Sequence, residues 1–151
     1  RVLSVMARLS EKSLLAVAAV VDVAIHSRGA PVAAKALAER HSLPPRHLEP
    51  VLQALVHAGI LKGVRGPRGG YELARERRRI SVAEISQVAE SSENESKGKK
   101  PAVVANVIAP ALAKAERAFE AALSEITIDT LCRDAEREGM GETKATADFN
   151  I

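Results

Sequence analysis

The run VRGPRGGY, Val64 to Tyr71, commits the chain to a tight reversal. Gly66, Gly69 and Gly70 reach backbone conformations that other residues avoid, and Pro67 presets one dihedral of the turn. Apolar stretches flank it, Ile60-Leu61-Lys62-Gly63-Val64 before and Tyr71-Glu72-Leu73-Ala74 after, and both read as short strands. The result is a β-hairpin with the permanent charges of Arg65 and Arg68 at its tip.

Upstream, the apolar spacing changes from strand to helix. A first helix is expected from Ser10 to about Ser27: Ser10 is a good N-cap, Glu11 suits the first turn, and Gly29 with Pro31 stops it. It is apolar on more than one face, as a central packing helix must be. A second helix is expected over about Val32 to His41, with Val32, Ala33, Ala36 and Leu37 inward, before Ser42-Leu43-Pro44-Pro45 breaks it. A third runs to about His57, with Leu48, Val51, Leu52, Leu55 and Val56 at helical spacing and Gly59 as C-cap. Proline in a helix interior costs about 3 kcal/mol. The third helix is therefore expected to begin near Arg46 or His47 and leave Pro50 in its first turn. Two helices, a sharp turn and a basic hairpin make a winged helix-turn-helix. The expected fold class is mostly α with a small β-hairpin wing and a long C-terminal dimerisation helix.

The dimerisation helix is read from the second half of the chain. Ile80 to Ala89 is expected as a short helix whose Ser81 and Glu84 form a capping box. Residues 91–100, SSENESKGKK, are polar and low in complexity and read as an exposed loop. After Pro101 an Ala-rich helical pattern begins, with Pro110 leaving its start open. Ile108, Leu112, Ala115, Phe119, Ala122 and Ile126 recur at spacings of 4, 3, 4, 3 and 4, a heptad-like seam. Small residues on such a seam let the helix of a second copy approach closely. Packing of the same helix on its own N-terminal domain is the alternative. Ile128 to about Glu136 reads as a further short helix suited to packing against the partner. The expected division is a winged helix-turn-helix DNA-binding domain over residues 1–90, a flexible loop over 91–101, dimerisation helices over 102–137 and a mobile tail over 138–151.

Charge follows the same division. Net charge is only +3, yet residues 1–80 hold 14 Lys and Arg against 6 Asp and Glu, a net of +8, and residues 81–151 hold 8 against 13, a net of −5. A polyanion-binding half joined to a half that need not touch the polyanion fits this split. Single strands are gripped by aromatic stacking, and Tyr71 is the only aromatic residue of the basic half, so double-stranded DNA is the expected partner. The lone cysteine, Cys132, excludes an internal disulfide and points to a cytoplasmic protein. No signal peptide is legible, although Arg1 rather than a methionine begins the chain. The most apolar run, Leu14 to Ile25, is broken by Asp22 and spans about 12 residues against the roughly 20 a bilayer needs, so no membrane partner is expected.

Three pieces stand in order: LSEK at the first helix, LPPRHLEPVLQALVHAGILKGVRGPRGGYELAR across the third helix and hairpin, and ISVAEI at the next helix. Together they resemble the Rrf2 family of bacterial winged-helix regulators, the group of the IscR, NsrR and CymR types, over roughly Met6 to Ile126. The resemblance implies a homodimer whose long C-terminal helix forms the interface, each subunit offering one winged helix to a palindromic operator. It also implies roles. Arg65 matches the wing arginine that enters the minor groove, and Glu49 the recognition-helix glutamate that reads base edges. Arg46 and His47 stand at the exposed start of that helix, and Ser10 and Lys12 fall where phosphate contact is expected. Arg68 and Tyr71 complete the candidate DNA-binding set. The chemistry agrees, since a carboxylate accepts from cytosine N4 and arginine suits a narrow, electronegative minor groove. Sensors of this family hold an iron–sulfur cluster with three cysteines between the helix after the wing and the long helix. Here Glu90 to about Asn106 contains no cysteine, with Asn106 near the last ligand position, and one thiolate cannot supply Cys₄-like ligation. A cluster-free member with no cofactor and no metal is expected.

Other residues carry two readings each. Cys132 is either a small buried hydrophobe or a redox thiol, which would need exposure and a lowered pKa. The histidines His26, His41, His47 and His57 lack metal-ligand spacing and are expected at the surface or facing phosphate. Arg75 to Arg79, RERRR, is either a solvated cluster or a second contact to the DNA backbone. Glu49 is either a base reader or an exposed cap carboxylate. No nucleophile–base pairing, phosphate-cradling loop or metal motif is present, so an enzyme is not expected. The expected function is a homodimeric, sequence-specific transcription regulator, most simply a repressor, with an unidentified small-molecule or protein effector left open. The alternative is a winged-helix protein-interaction module that has lost DNA binding.

Overall fold

A computed structural model describes residues 10–91 and 102–140. The fold is mostly helical with one two-stranded antiparallel hairpin. In chain order it has α1 (Glu11–His26), α2 (Ala34–Arg40), α3 (Pro45–His57), β1 (Leu61–Val64), β2 (Gly70–Leu73), a 3-10 turn (Arg77–Arg79) and α4 (Val82–Ser91). A π-helical turn (Val104–Ile108), α5 (Ala109–Ser124) and α6 (Ile128–Arg137) follow. Residues 1–9, 92–101 and 141–151 lie outside the described residues; of the expected loop over 91–101 only Ser91 is described, and it is helical, and of the expected tail over 138–151 only residues 138–140 are described.

Helix α1 is the hub. Ser10 caps it, its Oγ accepting from the Ser13 amide at 3.0 Å. Small residues at Ala16, Ala19 and Ala24, with Val20 and Val23, let α3, β2, α4 and α6 all pack closely around it. Leu37, Leu48, Leu52, Leu55, Ile60, Leu61, Ile80 and Ile85 fill the same core. Ile128 and Cys132 join it, so α6 docks on α1 of its own chain. Docking on its own chain takes the Ile128–Cys132 face of this helix and leaves the expected partner contact to its other faces. The apolar burial on offer within the chain satisfies that face first.

Local signals place the remaining elements. Ser81 and Glu84 form the expected capping box: the Glu84 amide donates to Ser81 Oγ at 3.2 Å, and the Ser81 amide to Glu84 Oε1 at 3.3 Å. Thr127 caps α6, its Oγ1 accepting from the Thr130 amide at 3.2 Å, and reciprocal backbone bonds at 2.9 Å from Val82 to Ile126 and from Ile128 to Ile80 tie the two helix starts together.

Three boundaries differ from expectation. Val32 is not helical but strand-like, bridged to Tyr71, and α2 begins only at Ala34. Helix α3 begins at Pro45, which places Pro50 sixth, beyond the first turn. Pro50 lies on the exposed face, where the Arg46 carbonyl that loses its helical donor can meet solvent. Before Pro110 the chain is already helical and widens into the π-turn Val104–Ile108. A wider turn moves the Asn106 carbonyl from the proline ring.

Helices α2 and α3 end in the same motif. At the end of α3 the Ile60 amide donates to Leu55 O at 3.0 Å and the Gly59 amide to Val56 O at 3.0 Å, with Gly59 at φ 78. At the end of α2 the Leu43 amide donates to Ala38 O at 2.9 Å and the Ser42 amide to Glu39 O at 3.3 Å, with Ser42 at φ 53. Glycine is the usual occupant of this left-handed position. A side chain there costs roughly 1–2 kcal/mol, against about 0.4–1 kcal/mol of extra unfolded-chain entropy for glycine. Ser42→Gly is therefore expected to stabilise the fold by about 0.5–1 kcal/mol, raising the melting temperature by about 1–4 °C in calorimetry. An unchanged or lower value would show the turn to be unstrained.

Candidate nucleic-acid interface

Helix α3 buries Leu48, Val51, Leu52 and Leu55, which fixes its opposite face outward. Arg46, His47, Glu49, Gln53 and His57 are exposed there. Among the described residues none hydrogen-bonds or ion-pairs with the side chains of Arg46, His47 or Glu49. Pro44 and Pro45 open the helix without a side-chain cap, and with Pro45 lacking an N–H and the His47 amide donating to Pro44 O at 3.0 Å, the Arg46 amide is the first-turn donor left for an incoming anion. Gln53 was not singled out from the sequence, yet its spacing from Glu49 and Pro50 places it one turn further along the same face.

The wing is braced at its neck and open at its tip. Strands β1 and β2 pair with Leu61 opposite Leu73 and Val64 opposite Gly70, and the Gly69 amide closes the turn on Gly66 O at 2.9 Å. Tyr71 donates its amide to Val32 O at 2.8 Å and accepts from the Val32 amide at 2.9 Å, adding a third strand segment. A Cβ at Gly70 would stand 2.3 Å from Val32 O, so only glycine permits this approach. From the braced neck Arg65, Gly66, Pro67 and Arg68 project exposed, and among the described residues neither arginine side chain has a partner.

The other sequence candidates divide. Tyr71 is half-buried against the main core, so its aromatic ring serves packing. Ser10 spends its hydroxyl on the cap of α1 and on Ser13 Oγ at 3.1 Å, and Lys12 sits half-buried in the first turn. The RERRR cluster lies at the base of the wing, away from the tip. Arg75 donates to Gly59 O at 3.3 Å and to Glu84 at 3.1 Å, and Arg77 to Asp129 at 2.9 Å. Arg78 and Arg79 remain exposed beside Glu76. His26 is exposed, as expected, and His41 is half-buried; both stand beside the buried carboxylate of Asp22. Asp22 also receives Arg40, and these bonds hold the guanidinium pKa above its ordinary value against the opposing pull of burial. Cys132 is fully buried, and burial pushes its thiol pKa up against the opposing pull of Arg77. A sensing thiol needs the reverse of both properties.

Among the described residues helix α5 packs on its own domain through Leu123 and Phe119 beside Val82 and Ala83 of α4, with Gln87 Nε2 donating to Glu120 Oε2 at 2.8 Å. Seam residues Ile108, Leu112 and Ile126 are exposed, as are Ala115, Ala122 and the neighbouring Val103 and Val107. A groove of about 780 Å³ runs between α4 and α5, floored by Ile108, Leu112, Phe119 and Leu123. No helix among the described residues is long and apolar enough to cross a membrane.

The chain matches the family described as "Rrf2: Iron-dependent Transcriptional regulator" over residues 9–134. It is 40% identical over 85 residues to the HTH-type transcriptional regulator IscR of Xenorhabdus nematophila, covering 56% of this chain and 52% of that one. It is 36% identical over 85 residues to IscR of Vibrio cholerae, covering 56% of this chain and 49% of that one. The chain thus spans about half the length of the curated relatives it matches. Among solved structures it is similar to T. potens IscR, with a TM-score of 0.70 and 36% identity over 89% of this chain and 92% of that one. It is also similar to CymR (YrzC), the global cysteine regulator of B. subtilis, with a TM-score of 0.65 and 24% identity over 83% of this chain and 95% of that one. The second likeness shows the fold alone.

Proposed function

The chain belongs to the Rrf2 family of transcriptional regulators, and from that premise we propose that it is a homodimeric, sequence-specific reader of double-stranded DNA. One observation carries this reading: the exposed side chains of Arg46, His47 and Glu49 on α3 and of Arg65 and Arg68 at the wing tip make no hydrogen bond or ion pair among the described residues. The start of α3 enters the major groove, where Glu49 accepts from a cytosine or adenine amino group, Arg46 and His47 approach phosphate or base edges, and Arg65 and Arg68 carry the wing to the minor groove. Ser10 and Lys12 are auxiliary backbone contacts. The ring of Tyr71 packs on the core, which leaves the basic half without a stacking platform for single strands. The dimer forms through the exposed face of α5, and a dimer seated on a promoter blocks access to it, so repression is the default action.

Iron–sulfur chemistry has no place in this reading. The only thiol, Cys132, lies in the core, and no group of three His, Cys, Asp or Glu among the described residues is placed to hold a metal. The donors do not fit a cluster that takes thiolates at each iron.

Binding-site selection from genomic duplexes with purified protein tests the proposal. A palindrome is expected, with half-sites one helical turn or a small multiple apart. Uniform, salt-sensitive binding to every duplex would favour the protein-interaction module instead. On the selected duplex, Arg65→Ala should cost about 1–3 kcal/mol, while Arg78→Ala at the wing base should cost less than about 0.5 kcal/mol. Equal losses would place the contact surface elsewhere.

A further inference from the structure

Asp22 is the one carboxylate of the buried interior among the described residues, and DNA contact as proposed above makes no use of it. Its side chain is 4% exposed. One oxygen takes Nε of Arg40 at 2.8 Å and the other takes Nη2 at 2.7 Å, a two-pronged pair. His41 Nε2 stands 3.1 Å from Oδ2, and His26 Nδ1 stands 3.4 Å from Oδ1. The position of these partners is informative. Arg40 is the last residue of α2 and His41 is its C-cap. The next residue, Ser42, makes the left-handed turn that delivers the chain through Leu43 and Pro44 into α3.

Helix α1 therefore grips the last two residues before the turn that aims the DNA-reading helix. Stability alone does not call for such a grip, because apolar residues of similar volume often serve as well as a buried ion pair or better. A planar fork on a carboxylate does fix angle and distance, which methylene contacts leave free. A left-handed residue other than glycine persists only where its surroundings over-determine it. Ser42 is such a residue, whereas the matching position after α3 is Gly59.

We propose that Asp22 is the positioning residue of recognition, holding Arg40 and His41 so that the Ser42 turn sets the angle of α3 against DNA. The proposal rests on the DNA-binding reading. Its test has one arm that needs no DNA.

The variant is the apolar pair Asp22→Leu with Arg40→Met, which removes both charges and the fork. Hydrogen exchange at the Ser42 and Leu43 amides is read beside the global melt. Affinity is read on the duplex that the wild-type protein selects and on a scrambled duplex of equal composition. The expected variant melts at or above the wild-type temperature, yet exchanges these two amides about tenfold faster or more. Its preference for the selected duplex falls about tenfold, with affinity for the scrambled duplex unchanged. Wild-type exchange and preference in the folded variant would overturn the proposal. Equal loss on both duplexes, or failure to fold, would also overturn it by making the pair a general support of the core. If the wild-type protein selects no motif, the DNA reading fails on its own, and the exchange arm still decides whether Asp22 holds the turn.

Discussion

A single methyl group at Gly70 will detach the wing from its brace and cost the fold about 3–4 kcal/mol. The Cβ of Gly70→Ala would stand 2.3 Å from Val32 O, 2.5 Å from its carbonyl carbon and 2.8 Å from the Ala33 amide nitrogen. All three atoms are backbone, so no side-chain rotation relieves the clash, and β2 must part from Val32. Two hydrogen bonds are then lost, each worth about 1 kcal/mol net, together with burial of Val32 worth about 1.5–2 kcal/mol. Against a total stability of about 5–15 kcal/mol this is a large share. The control is Gly63→Ala in β1, where an added Cβ meets nothing within 4 Å. Urea midpoints of the two variants measure the difference. DNA affinity should fall with Gly70→Ala alone, because Arg65 loses its support. Matching midpoints would show that the Val32–Tyr71 bridge does not hold the wing.

Elements specified within a few residues were legible in the sequence. The caps at Ser10 and at Ser81–Glu84 and the glycine after α3 each depend on neighbours one turn away, and each stands as expected. At the hairpin tip Gly66 takes a positive φ but Gly69 does not, and glycine there allows a close approach, since a Cβ would collide with Val64 O. What escaped was set across the chain. Val32 carries a helix-like pattern, yet Tyr71, far along the sequence, takes it as a strand partner. Asp22 was visible only as a charge interrupting an apolar run, because Arg40 and His41 lie 18 and 19 residues away with no local mark of the pairing. The docking of α6 on α1 turns on Ile128 and Cys132, two apolar side chains that would suit a partner subunit equally well. Prolines fell between these cases. Pro50 and Pro110 announced an irregularity, but whether a helix starts there or widens into a π-turn depends on carbonyls one turn back.

The dimer proposal makes the largest prediction, at Leu112. This side chain is 56% exposed on α5, flanked along the seam by Ile108 and Ala115. In a symmetric pair it meets its own counterpart or a close neighbour, so Leu112→Glu buries two uncompensated carboxylates and each costs several kcal/mol. The variant is expected to elute at the 16.0 kDa of one chain rather than at twice that mass. Its fold should persist, because the seam is solvent-facing within the chain and the residue of α5 buried there is Leu123. The consequence for DNA follows from sharing one binding energy between two half-sites. A dimer at about 1 nM gains roughly 12 kcal/mol, and one half-site supplies about half of it, so the monomer should bind some four orders of magnitude more weakly. Lys114→Glu, on the same helix but off the seam, makes a larger charge change and should keep both the dimer and nearly all of the affinity. Light scattering and titration of the selected duplex read both quantities. A dimeric Leu112→Glu protein with unchanged affinity would remove α5 as the interface, and a monomeric one with full affinity would mean that each chain reads its site alone.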